Sequence, residues 1–190
     1  MQGITLKNGQ ATTGAGLTNS GWLRVERSTI TASRASSAAG IFNLNGGTLT
    51  LSESTVSGNT TTGTAGGGIA NSGTLRVDRS TISGNRAPAA AGIFNLAGGT
   101  LTLQNSTVSG NQATAGGAGA LWSQSGAQAT VRYSTISDNR GLIYGGIFNE
   151  GALTIQGMIS ANHGNGDCTS ANGGTVTDWG FNLVEDGGCI

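Results

Sequence analysis

The sequence predicts an all-β fold, a single-stranded right-handed parallel β-solenoid, and three observations lead there. A unit of about 26 residues recurs along the chain. Inside each unit, three short apolar stretches alternate with a period of two and favour β-branched residues. Glycine supplies 35 of the 190 residues, against a usual share of about 7 per cent. Proline occurs once, so the many turns that glycine implies are not proline turns. No helical spacing persists over ten residues.

The repeat emerges on self-comparison. Ala38 to Asn59 recurs 52 residues later as Ala90 to Asn111, with 3 differences in 22 positions. Gly14 to Ser33 matches Gly66 to Asn85 at the same shift, so a two-unit block is duplicated. The first apolar stretch of each unit contributes Leu17, Ile41, Ile69, Ile93, Leu121 and Ile147. The second contributes pairs such as Leu49/Leu51 and Leu75/Val77. The third contributes Ile30, Val56, Ile82, Val108, Ile136 and Ile159. Three strands of three to five residues per unit describe about six coils of near 26 residues, each rising about 4.8 Å and bonding to its neighbours. Right-handedness follows from the general preference of parallel crossovers. Residues 1–13 read as a partial N-terminal coil, 14–163 as the repeats and 164–190 as a C-terminal cap segment. The widest spacing variation separates the third strand from the next first strand: Thr60 to Ala65, Arg86 to Ala89, Gln112 to Ala115 and Arg140 to Ile143. Tolerated insertion marks that side as the expected functional edge.

Composition excludes several classes. Nine Lys and Arg balance nine Asp and Glu, which gives no basic surface for nucleic acid. The 36 % hydrophobic content opposes disorder, and the glycines lack the period of collagen. No apolar run reaches 18 residues, so no membrane span is expected in this chain. Met1 to Ile4 has neither the basic nor the apolar region of a signal peptide, and the pattern is already under way there, as in a segment of something longer. An amino end that begins inside the repeat leaves a strand edge at Ile4 to Leu6. End-to-end self-association is therefore expected unless Met1 to Thr13 form a partial cap.

Stacked coils allow columns to be read directly. Asn19, Asn43, Asn71, Asn95 and Asn149 form one column, interrupted by Ser123, and Asn59, Asn85, Asn111, Asn139 and Asn162 form another. Both are expected to be structural amide ladders. The residue after the first-strand Ile or Leu runs Thr18, Phe42, Ala70, Phe94, Trp122, Phe148. Alternation points this column away from the main core, so Phe42, Phe94, Trp122 and Phe148 are the candidate ligand-binding residues. Either they stack on sugar rings or seat a partner, or neighbouring loops cover them. The third strand presents Thr-x-Thr or Thr-x-Ser hydroxyls, which an ice-binding face would need and half-buried strands also favour. Arg27, Glu53 and Arg79 alternate in sign on an outer column, where neutralisation is expected. Glu26 and Asp78 lie two coils apart, within reach of a glycosidase carboxylate separation, but beside arginines that pair with them more simply. No nucleophile or phosphate-loop motif is present, so no catalytic residue, metal or cofactor is expected. Cys168 and Cys189, with His163 and Asp167, could supply four zinc ligands. A Cys168–Cys189 disulfide is the favoured reading.

The units GGGIANSGTLRVDRSTISGN and AAGIFNLNGGTLTL resemble the right-handed parallel β-helix repeats of secreted and outer-surface bacterial proteins, over roughly residues 3 to 163. These include polymorphic-outer-membrane-protein-like and autotransporter-passenger-like chains. The tail, from Asp167-Cys168 through TVTDWGFNL to Gly188-Cys189, is similar to the segment that ends the β-helix in choice-of-anchor surface proteins. The resemblance implies an extracellular or cell-surface location and reinforces the disulfide. It implies an adhesive or structural stalk role with a glycan or host-surface component as partner. A polysaccharide-binding or polysaccharide-cleaving β-helix is the alternative, and an ice-binding face comes third.

Overall fold

The computed structural model describes residues 1–63, 66–161, 163–186 and 188–189. Among them it contains strands, turns and bends and no helix. Every strand pairing is parallel, and each strand bonds to its counterpart one coil away. Three long sheets result. Sheet I stacks seven strands from Leu17–Asn19 to Cys168–Ser170. Sheet II stacks seven from Trp22–Glu26 to Thr175–Asp178, and sheet III stacks eight from Thr5–Lys7 to Leu183–Val184. The repeating unit thus folds as expected. The tail continues all three sheets, giving about seven turns.

The core is the interior of the coil. Ile69, Leu75, Val77 and Ile82 of one coil are inaccessible or nearly so, and equivalent side chains above and below complete the column. Each such side chain contributes about 1.5–3 kcal/mol when buried, but only if the adjacent coils are present to cover it. Where the chain turns from sheet II to sheet III, Arg27, Glu53, Arg79, Asn105 and Tyr133 hold positive φ of 44 to 50°, and Gly157 takes the position at 58°. The corner has one geometry, imposed on unlike residues.

Three polar ladders run along the stack of coils, one after sheet I, one after sheet III and one at the turn from sheet II to sheet III. Asn19, Asn43 and Asn71 each donate Nδ2–H to the Oδ1 of the next rung at 2.8–2.9 Å, and Asn95 passes the chain to Ser123. Asn149 then donates to Ser170. In the second ladder Asn59, Asn85 and Asn111 donate to the next Oδ1 at 2.8–3.0 Å, and each backbone N–H bonds there as well. Asn162, the rung expected after Asn139, lies outside the described residues. A third ladder adds to the two expected ones: Ser54, Ser80, Ser106 and Ser134 each accept the backbone N–H of the preceding rung and donate to a carbonyl two residues back.

Two expectations change. A fourth sheet of short strands, Gln10–Thr13, Arg34–Ser37, Thr60–Thr61, Arg86–Ala87 and Gln112–Ala113, extends the three-strand coil into the variable edge. The other concerns Ile159. It pairs with Thr135 and points outward, 45% exposed, while Ser160 pairs with Ile136 at the inward position. The spacing explains the swap. Leu153 to Ser160 is seven residues, as is Leu49 to Val56, so keeping the corner wins over burying isoleucine. Met158 is buried one residue earlier as partial compensation.

Candidate functional site

Sheet I carries the aromatic column on the face turned away from the main core. Its backbone register stacks Phe42, Ala70, Phe94, Trp122 and Phe148 in line. The Phe94 and Trp122 rings lie 5.0 Å apart, and Trp122 and Phe148 lie 5.6 Å apart. Tyr144, from the edge loop, stacks on Phe148 at 4.1 Å and 10°. Phe42, Phe94 and Trp122 form a second, smaller core with Ala38, Ala70 and Ala90. Phe94 and Phe148 are buried, whereas Phe42 and Trp122 are half-buried. Gly117 permits this cover. At its positive φ of 73°, any Cβ would stand 2.8 Å from the Trp122 ring. The Trp122 indole N–H donates to Glu150 Oε2 at 2.7 Å, and Asn172 donates to Glu150 Oε1 at 2.6 Å, so the polar handle of the ring is engaged internally. The open side of this edge carries Leu142 and Ile143, both exposed beside half-buried Tyr144.

At the carboxyl end the slipped register brings together Ser160, His163 and Asp167, all buried. His163 Nδ1 lies 3.2 Å from the Asn139 backbone nitrogen and 3.3 Å from the Asn139 carbonyl oxygen, so that ring nitrogen is engaged by the Asn139 backbone. Nε2 faces Ser160 Oγ at 3.2 Å, and Ser160 in turn donates to the Asp167 carbonyl. A hydrolytic triad needs serine and carboxylate on opposite ring nitrogens, with serine at Nε2 and the carboxylate at Nδ1. Here the Asp167 carboxylate lies 3.9 Å from Nε2 and accepts the Asp186 N–H, while Asp186 accepts the Asp167 N–H. His163 replaces asparagine as the last acceptor of the second ladder. Sequence reading missed this role; the signal was its position one residue beyond the expected rung, the same slip as at Ile159.

The sequence profile described as "Right handed beta helix region" matches residues 13–185. The chain belongs to that family. No curated protein and no solved structure matches it.

In this β-helix the remaining candidates are occupied by pairing. Arg24 bonds Glu26, whose carboxyl is held below its ordinary value, first by that hydrogen bond and then by the charges of Arg24 and Arg27. Arg79 pairs with Asp78 at 2.7 Å and with Glu53 at 3.2 Å. Glu26 and Asp78, with Ser52 between them in the column, are thus two separate ion pairs. Cys168 and Cys189 form a disulfide with Cα atoms 5.5 Å apart. Their sulfurs are therefore not zinc ligands, which overturns the four-ligand alternative. Among the described residues no cluster of three metal-ligating side chains occurs. The Thr and Ser hydroxyls of sheet III are half-buried, and the Thr column ends in Ile159 and Leu183.

Proposed function

We propose that this β-helix is a non-enzymatic structural segment of an extracellular bacterial surface or secreted protein, serving as a stalk. One observation carries the reading: the groups that would bind or catalyse already satisfy one another. Glu26 and Asp78 of sheet II are ion-paired, the Asp167 carboxylate lies at the same His163 ring nitrogen as Ser160, and the aromatic column packs beneath the edge loops. Incubation with uronic-acid and neutral polysaccharides, followed for unsaturated or reducing ends, is expected to give no turnover. Sustained product release would sink the stalk reading in favour of a polysaccharide-active one.

An adhesive role is the second reading, and Leu142 and Ile143 favour it. They stand 64% and 56% exposed on the insertion-tolerant edge, next to Tyr144, whose ring stacks on Phe148. A glycan or a host-surface component would meet the rings there. Glycan arrays and cell-binding assays with Leu142→Ser and Ile143→Ser variants discriminate the two. Binding that these substitutions remove establishes adhesion, and no binding leaves the stalk.

A further inference from the structure

The arginines of the fourth sheet are the exception to the pairing seen on sheet II. The outward column of that sheet runs Arg34, Thr60, Arg86, Gln112 and Arg140, each in register with the next. All three arginines are exposed, and among the described residues no carboxylate lies within 4.0 Å of any of them. Arg86 donates to Gln112 Oε1 in the next coil, which directs its guanidinium along the axis without cancelling the charge. The duplicated block gives the same two-coil period to Arg24 and Arg76 of sheet II, but there Glu26 and Asp78 accompany them. Duplication alone therefore does not account for unpaired charge on the insertion-tolerant edge.

Two coils separate successive charges, about 10 Å at roughly 4.8 Å per coil, with a neutral hydrogen-bonding side chain between them. Beside the column the corner from sheet III is bare. Gly58, Gly84 and Gly110 hold it at φ of 62 to 64°, and a Cβ added there would meet nothing nearer than 3.7 Å. Beyond the corner Ser57, Ser83 and Ser109 present half-buried hydroxyls. Asp138 takes the corner position one coil after Gly110, and with Gln112 and Arg140 it lines a cavity of about 300 Å³. We propose that this strip binds a linear polysaccharide with an acidic group on alternate sugar rings, lying parallel to the solenoid axis. The guanidinium forks take the acidic groups, Thr60 and Gln112 meet the neutral rings between them, and Asp138 accepts hydrogen bonds from sugar hydroxyls at the Arg140 end. Two other occupants fit less well. A DNA duplex presents a phosphate about every 3.4 Å on each strand, and the column holds no aromatic ring on which single-stranded bases would stack. The carboxylates that a second copy of this chain carries in alternate coils, Glu26 and Asp78, are already held by Arg24 and Arg79.

The inference rests on the adhesive reading but on side chains other than Leu142 and Ile143, so the two fail separately. Hyaluronan, with one carboxylate per disaccharide, is the probe. Dextran, polygalacturonate and duplex DNA are the comparisons, all measured by biolayer interferometry at low salt. Hyaluronan should bind more tightly than polygalacturonate, in which every ring is charged, and dextran should not bind. Arg86→Gln should weaken hyaluronan binding about tenfold, and Arg34→Gln, Arg86→Gln and Arg140→Gln together should abolish it. Circular dichroism spectra should stay unchanged, since all three side chains are exposed. Added salt should weaken the binding, and Arg24→Gln, which removes the same charge from sheet II, should not. No hyaluronan binding at low salt, binding that survives in the triple variant, or equal or tighter binding of polygalacturonate or DNA would overturn the proposal. Leu142→Ser and Ile143→Ser should leave hyaluronan affinity intact, so a loss of cell binding in those variants bears on the adhesive reading and not on the strip.

Discussion

Replacing Asn85 by Ala tests whether the second ladder stabilises the solenoid or merely decorates it. Asn85 is 1% exposed and makes four side-chain hydrogen bonds. Its Oδ1 accepts the N–H and the Nδ2–H of Asn59, and its Nδ2 donates to the Val56 carbonyl and to Asn111 Oδ1, all at 3.0 Å. These losses are unequal. Asn59 Nδ2 keeps a bond to the Ile30 carbonyl, and Asn111 Oδ1 keeps the Asn85 backbone N–H. The Asn59 backbone N–H, however, is left in a buried corner without its acceptor, at about 1–3 kcal/mol. Adding the remaining side-chain bonds at a net of about 1 kcal/mol or less each gives an expected destabilisation of about 2–4 kcal/mol. Urea unfolding followed by circular dichroism reads the global change. Hydrogen exchange should show the Asn59 amide losing protection first. A loss below about 0.5 kcal/mol, with that amide still protected, would mean that strand pairing and packing hold the corner and the ladder does not.

Three further changes probe other parts of the fold. His163→Ala removes the acceptor of the Asn139 N–H and the ring packed against Gly145 and Gly146. It should cost about 2–3 kcal/mol, and His163→Asn should recover part of that; equal losses from both would deny the ladder-end role. Arg24→Ala should raise the Glu26 titration midpoint toward its ordinary 4.5, as followed by NMR. Because the folded value is the lower one, Glu26 contributes stability above the unfolded pKa and loses it as pH falls through the folded value, so the variant should show a weaker acid-side decline. Reduction of Cys168–Cys189, which spans 21 residues, should lower stability by about 3 kcal/mol and expose the last coil to proteolysis first. Uniform proteolysis along the chain would contradict a local role for the bridge.

Where the repeat is strict, the fold was legible in the sequence, because inward Ile, Leu and Val recur at fixed spacing in every coil. The fourth sheet was not, since strands as short as Thr60–Thr61 or Arg86–Ala87 carry no alternation and depend on coils far away in sequence. The serine ladder hid among residues that ordinarily mark turns. Ile159 was misassigned because hydrophobicity and spacing disagreed by one residue, and the corner geometry decided for spacing. For the aromatic column, alternation gave the direction of the rings. It did not give their cover, which comes from Ala38, Ala90 and the left-handed Gly117 in separate loops.

Corner geometry also explains why the triad-like constellation lies at the carboxyl end. A ladder is self-satisfying in the middle, where each rung supplies the next, but its last members need a different partner. There the second ladder terminates on His163 Nδ1, and the inward Ser160 bonds the Asp167 carbonyl. Asp167 and Asp186 exchange backbone N–H bonds across the closing turn. Histidine, serine and aspartate therefore converge because a polar repeat must stop in a buried place. Nδ1 faces the Asn139 backbone and the Asp167 carboxylate lies nearer Nε2, so no carboxylate orients the ring from Nδ1 as a serine–histidine–aspartate triad requires. Introducing Asn at position 163 preserves an acceptor for Asn139 while deleting the imidazole. Ladder protection by hydrogen exchange should then survive, which separates chain termination from any acid–base role of the ring.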